Sequence, residues 1–274
     1  MRITIVDAFT ERPFAGNPAG VLLLDTESFP EDGWLQQVAA EVGLPETAFV
    51  HPLSGNAEAQ WALRWFSPTT EVNMCGHATL AAAHVLHTTG LADGTARFTT
   101  RSGVLRAAGA DDGTITLDFP TAPLRAIAPP SEIAAAIGAD VRSVHETGAD
   151  VGEPLVEVAD EKTVRQLIPD LAAVAALPWR GGVIVTARAD DPAACYDFVS
   201  RCFFPGIGID EDPVTGAAHT ALAPFWAARL GGTTLTGLQA SARGGLVRTE
   251  LRDDRTLLYG TAVTVIEGEL LTRP

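Results

Sequence analysis

Arg64-Trp65-Phe66-Ser67-Pro68, followed after a short connector by Cys75-Gly76-His77-Ala78-Thr79-Leu80-Ala81-Ala82-Ala83, returns later in the chain as Arg201-Cys202-Phe203-Phe204-Pro205 and then Thr215-Gly216-Ala217-Ala218-His219-Thr220-Ala221-Leu222-Ala223. Gly76 and Gly216, Ala78 and Ala218, Ala81 and Ala221, and Ala83 and Ala223 coincide at one offset of 140, the second connector (206–214 against 69–74) being three residues longer. Self-similarity of this kind marks a duplicated architecture. Each copy reads as a strand, a loop, a glycine that lets the backbone approach something closely, and a helix of small residues able to thread a tight enclosure such as a curled sheet. Two such copies would turn two helix N-termini, each with free N–H groups and partial positive charge, toward a common cleft suited to a carboxylate.

Outward from the repeat, short apolar segments bounded by turn residues predict strands at Arg2–Asp7, Val21–Leu24, Ala48–His51, Trp61–Phe66, Arg97–Thr100, Val104–Ala108 and Thr114–Phe119. Helices are expected at Glu31–Val42, at Gly76–Thr89 with Gly90 as a C-terminal stop, and at Ser131–Ile137. The proline-rich run from Pro123 to Pro130 marks a lobe crossing. The expected fold is α+β with two pseudo-symmetric lobes, residues 1–119 (completed by a C-terminal strand, 261–274) and 120–260.

A chain of 274 residues, 46% hydrophobic and 19% charged, has enough apolar material for two cores. Its formal charge of −15 is spread along the chain, which speaks against nucleic acid and against an anionic membrane as partners. No apolar run approaches the length of a membrane span, and Met1–Asp7 is too soon interrupted by charge to be a signal peptide. Three cysteines (Cys75, Cys195 and Cys202) fit neither a disulfide framework nor a zinc site, so a reducing, cytoplasmic setting is expected.

Several residues are placed to do chemistry. Glu46, in Leu44-Pro45-Glu46-Thr47-Ala48-Phe49-Val50, stands where Pro45 stops a helix and a strand begins, a setting in which a carboxylate can act as acid and base; a surface or capping role would also suit it. His77 follows the helix-start Gly76, where the helix dipole favours a neutral imidazole. Asp212 precedes the second helix start, where capping alone would account for it. Asn17, in Phe14-Ala15-Gly16-Asn17-Pro18-Ala19-Gly20-Val21, sits in a Gly/Pro loop feeding a strand. Cys75 at a helix N-terminus could be a thiolate base, but its repeat partner is Thr215, a poor base, which disfavours a symmetric two-thiol racemase. His77, His84 and His87 lack the spacing of a metal site, and none is expected. The chain has no nucleotide-binding glycine loop and no Gly-x-Ser-x-Gly elbow, and its one lysine, Lys162, lies in an expected surface helix; kinases, dinucleotide oxidoreductases, serine hydrolases and pyridoxal enzymes are thereby disfavoured.

Four ordered motifs, Val6–Thr10 with Pro13–Val21, Pro45–Phe49, Pro68–Leu80 and Glu211–Gly216, together resemble the PhzF family of phenazine-biosynthesis isomerases. The resemblance implies a diaminopimelate-epimerase-like fold, each half a curved sheet wrapped around a central helix, with the active site in the cleft between halves. It further implies that Glu46 carries a proton between two carbons of a small cyclic carboxylate, that His77 and Asp212 assist, that no cofactor is needed, and that the protein is a homodimer. Asn17, Cys75, Gly76, Thr215, Gly216 and Ala217 are the implied substrate-binding positions; Ala217 stands where the family usually has Ser, which removes a side-chain contact and leaves the backbone N–H. Two alternatives stay open: a Cys75-dependent epimerase or dehydratase of the proline-racemase type, and a non-catalytic binder of small anions.

Overall fold

The first half of the chain runs β1 (Arg2–Ala8), β2 (Asn17–Leu23), α1 (Asp32–Val42), β3 (Glu46–Pro52), β4 (Trp61–Phe66), β5 (Glu71–Val72), α2 (Gly76–Thr88), β6 (Thr95–Thr100), β7 (Gly103–Gly109) and β8 (Ile115–Pro120). The second runs β9 (Arg125–Ile127), α3 (Ser131–Ile137), β10 (Val141–Glu146), α4 (Gly148–Val151), β11 (Leu155–Val158), α5 (Glu161–Gln166), α6 (Leu171–Ala175), β12 (Val183–Arg188), β13 (Phe198–Phe204), a 3-10 turn (Pro205–Ile207), β14 (Ile209–Asp212), α7 (Gly216–Leu230), β15 (Thr234–Gln239), β16 (Gly245–Arg252), β17 (Arg255–Gly260) and β18 (Ala262–Glu269). This computed structural model describes residues 1–55 and 58–274. Its backbone contacts group into two units, Met1–Asp118 with Tyr259–Pro274, and Phe119–Leu258.

In the first unit β1 lies between β18 and β2, antiparallel to both; β2 runs parallel to β3, β3 antiparallel to β4, β4 parallel to β6, and β6, β7 and β8 follow as antiparallel neighbours. Helix α2 packs against β1, β2, β3, β7 and β18 of this sheet. It is buried on nearly every side, Gly76 through Ala83 without a break, and its Ala-rich sequence is what permits that: a helix apolar all round must be enclosed. Helix α1 covers the outer face, where Leu35, Val38 and Ala39 meet Leu22, Phe49 and Phe66.

The second unit repeats the order. β10 pairs antiparallel with β9 and β11, β11 runs parallel to β12, β12 antiparallel to β13, β13 parallel to β15, and β15 antiparallel to β16. Helix α7 takes the place of α2, with Ala218, Ala221, Leu222 and Phe225 packed on Leu155, Ile184, Phe198 and Cys202. Pro224 inside α7 lacks the N–H that would bond the Thr220 carbonyl. The Ala122 N–H donates to that carbonyl instead, at 3.2 Å. The short helices α3, α5 and α6 cover the other face around Ile133, Val164 and Val174.

Candidate active site

In the first unit the loop between β1 and β2 turns through three left-handed residues, Phe9 (φ 60°), Phe14 (φ 67°) and Gly16 (φ 64°). The Phe14 N–H donates to the Asp7 carboxylate at 2.7 Å. A side chain at Gly16 would put its Cβ 2.1 Å from the Ala8 carbonyl oxygen, so glycine is required there. This turn delivers Asn17, fully buried, to the start of β2, and the parallel pairing of β2 with β3 sets Glu46 opposite Ala19.

Three side chains converge on His77, at the second position of α2. Glu46 Oε2 lies 3.1 Å from its Nε2, the Asn17 amide 3.1 Å from its Nδ1, and Cys75 Sγ 3.5 Å from Nδ1. Glu46 and His77 are only 7% and 4% exposed. Cys75 is the helix N-cap and its side chain does not cap, which leaves the first-turn N–H groups of α2 facing the same region. Burial opposes a charged imidazole while the contacts with Cys75 and Glu46 favour one, and the net direction is upward. The contacts with Cys75 and Glu46 thus oppose the downward shift expected from the helix dipole. The contact from Asn17 is made by its amide nitrogen, Nδ2, at Nδ1 of the ring.

The Cys75 thiol moves oppositely to the expectation for a helix N-terminus: burial pushes it up to about 11, with Glu46 adding to the rise and His77 opposing it. At neutral pH it is a protonated thiol. Donor atoms of Glu46, Cys75 and His77 lie within 4.8 Å of one another, a set a metal could use. Metal binding there would first have to expel the proton of the thiol.

In the second unit Asp212, Thr215, Gly216 and Ala217 gather at the start of α7. Thr215, not Asp212, is the N-cap, and its hydroxyl donates to Asp212 Oδ2 at 2.5 Å. Gln239 of β15 braces the loop from behind: its Nε2 donates to the Asp212 carbonyl at 2.7 Å and its Oε1 accepts the Thr215 N–H at 2.8 Å. His219 Nδ1 donates to the Thr215 carbonyl at 2.8 Å, and burial lowers this imidazole to about 4, so it is neutral and structural.

The two units share a frame that the repeated letters only partly disclosed. Arg64 forms a two-point ion pair with Glu71 at 2.7 and 2.6 Å, and Arg201 forms one with Glu211 at 2.7 and 2.9 Å. Each guanidinium also lies over the ring two residues on, Phe66 at 5.0 Å and Phe203 at 4.8 Å. Ser102 Oγ donates to the Asn73 carbonyl at 2.7 Å, as Ser241 Oγ does to that of Pro213 at 2.8 Å. The Arg-x-Phe lead-in thus anchors the loop before each helix, and the three extra residues of the second connector fall between Arg201 and Glu211, where the 3-10 turn lies.

The family model for phenazine biosynthesis-like protein (PhzC-PhzF) matches residues 6–268. The chain belongs to the PhzF family. An uncharacterized isomerase of Halalkalibacterium halodurans is 42% identical over 274 residues, 98% of each chain. The crystal structure of a PhzF-family protein of Enterococcus faecalis superposes with a TM-score of 0.89 at 40% identity, covering 99% of both chains. A hydroxyproline epimerase of Agrobacterium vitis shares the fold at 14% identity, TM-score 0.63, over 98% of this chain and 91% of its own. This PhzF protein is an isomerase, and among its described residues no helix is long and apolar enough to cross a membrane.

Glu71, Glu211, Ser102, Ser241 and Gln239 were not singled out by the sequence reading. Glu71 and Glu211 keep the same offset of 140 as the helix glycines, so extending the repeat backward from Gly76 and Gly216 would have found them.

Proposed function

We propose that this PhzF protein moves a proton between two carbons of a small cyclic carboxylate without a cofactor, Glu46 carrying the proton. The observation that carries the reading is the buried contact between Glu46 and His77 at the N-terminus of α2. As a carboxylate, Glu46 can accept a proton from a carbon acid; the His77 ring beside it fixes its position, and Asn17 holds the ring. The uncapped N–H groups of α2 suit a substrate carboxylate or a developing enolate oxygen. In the second unit Asp212, oriented by Thr215, assists, and the backbone N–H of Ala217 serves where a side-chain hydroxyl is missing. The enzyme is read as a cytoplasmic homodimer.

A Cys75-dependent epimerase is the second reading, and the protonation of the thiol weighs against it. Incubation in heavy water with a panel of cyclic and amino carboxylates, followed by mass spectrometry, tests both. Deuterium incorporation and isomerisation should fall about 100-fold or more in Glu46→Gln, the ordinary loss when a general base is removed. Incorporation unchanged in Glu46→Gln contradicts the proposal.

A further inference from the structure

The turn that brings Asn17 to His77 is held at one end by a buried carboxylate that the mechanism above does not use. A two-residue turn suffices to join antiparallel neighbours such as β1 and β2. Here residues 9–16 separate Ala8 from its ladder partner Asn17.

Two phenylalanines of this turn are left-handed, a conformation that a bulky residue adopts only against its steric preference. They are held in different ways. Phe9 is fully buried, and its ring lies so close to Gly260 that a Cβ there would come within 2.5 Å of it. Packing fixes that end of the turn, together with the Thr10 N–H, which donates to the Thr261 carbonyl at 3.2 Å. Phe14 is 76% exposed, so burial of its ring offers no such hold. Its backbone is held instead by Asp7, only 2% exposed, whose Oδ2 accepts the Phe14 N–H at 2.7 Å.

From Phe14 the path to the site is short. Gly16 lies so close to the Ala8 carbonyl that only glycine fits. Asn17 comes next, its Nδ2 3.1 Å from His77 Nδ1, and the Nε2 of the same ring is 3.1 Å from Glu46 Oε2. Pro18, opposite Asp7 in the ladder, has no N–H with which to add to the hold on β2. A continuous run of contacts thus leads from Asp7 through the turn to Asn17, and through the imidazole to Glu46.

We propose that Asp7 is a positioning residue for the proton transfer: by holding Phe14 left-handed it fixes the end of the turn that sets Asn17 against His77, and so the ring against Glu46. A carboxylate is suited to the task because its hydrogen bond to a backbone N–H is stronger than one to a neutral acceptor. The role deepens the isomerase reading and rests on it.

The test joins a ring spectrum to kinetics. In protein carrying 15N-labelled histidine, His77 is identified by the ring signals that vanish in His77→Gln. Asp7→Ala should move the His77 Nδ1 signal in the same direction as Asn17→Ala does. Asp7→Asn, which keeps an oxygen for the Phe14 N–H, should leave that signal near its wild-type place. With the carboxylate turned over in heavy water, Asp7→Ala should lower kcat about 10- to 100-fold and leave KM within about threefold, the pattern of misplacement rather than lost binding. Asp7→Asn should recover most of the rate. Because Asp7 acts through Asn17, adding Asp7→Ala to Asn17→Ala should cost no further activity. Phe14→Gly, free to adopt the left-handed turn unaided, should restore activity to Asp7→Ala, and this double variant takes its place in the spectrum and the kinetics should Asp7→Ala alone fail to fold. An unmoved His77 signal in Asp7→Ala, or losses from Asp7→Ala and Asn17→Ala that multiply when combined, overturns the proposal. The ring spectrum needs no substrate, so it decides the role of Asp7 even where Glu46→Gln keeps full turnover and the assignment of the base falls.

Discussion

The starts of α2 and α7 are built on one frame and furnished with different chemistry. Both have a strand arginine clamped on a glutamate, a serine holding the loop carbonyl, and a glycine opening the helix. At α2 the frame presents Glu46, His77 and Cys75; the corresponding places at α7 hold Gly182, Ala217 and Thr215, with Asp212 added where the first unit has Val72. The frame repeats while the side chains it presents differ. A symmetric racemase needs a base in each half. The difference here, a carboxylate in contact with an imidazole in one unit and Gly182 and Ala217 at the corresponding places of the other, suits a proton carried by one residue.

If the frame is structural, breaking it should cost stability on both sides but unequally. Arg201→Ala strips Glu211 of its partner, and removal of one member of a mostly buried pair costs about 3 kcal/mol. Arg64→Ala should cost less, because Arg101 also reaches Glu71, at 2.7 Å. Urea denaturation of the two variants checks the order; a larger loss from Arg64→Ala would mean that the clamps are not equivalent devices.

Smaller effects sharpen the same comparison. Ser102→Ala and Ser241→Ala each remove one hydrogen bond to a loop carbonyl and should each lower stability by about 1 kcal/mol. A large difference between the two, by thermal melting, would break the equivalence of the loops. Least visible is the thiol: alkylation mapped by peptide mass spectrometry at pH 8 should modify exposed Cys195 well before Cys75, which is buried and protonated below about 11. Rapid, selective modification of Cys75 would restore it as a candidate base.

Much of this was legible in the letters because small residues and glycine at a fixed offset have few explanations other than an enclosed helix. Arg-x-Phe was visible as a pattern, but its meaning required Glu71 and Glu211, which only the turn before each helix brings back to the arginine. The setting of His77 and Cys75 was only partly read, because local dipole arguments omit burial and omit Glu46, which arrives from another strand. Capping at Asp212 likewise failed: the chain places Thr215 at the helix boundary and turns Asp212 toward that hydroxyl.

The most direct test of a one-carboxylate mechanism is the rate of deuterium wash-in for Glu46→Gln and Cys75→Ala, measured side by side on the same carboxylate. The account predicts a fall of about 100-fold or more for Glu46→Gln and a rate within about threefold of wild type for Cys75→Ala. The reverse order, activity lost with the thiol and kept without the carboxylate, would contradict it.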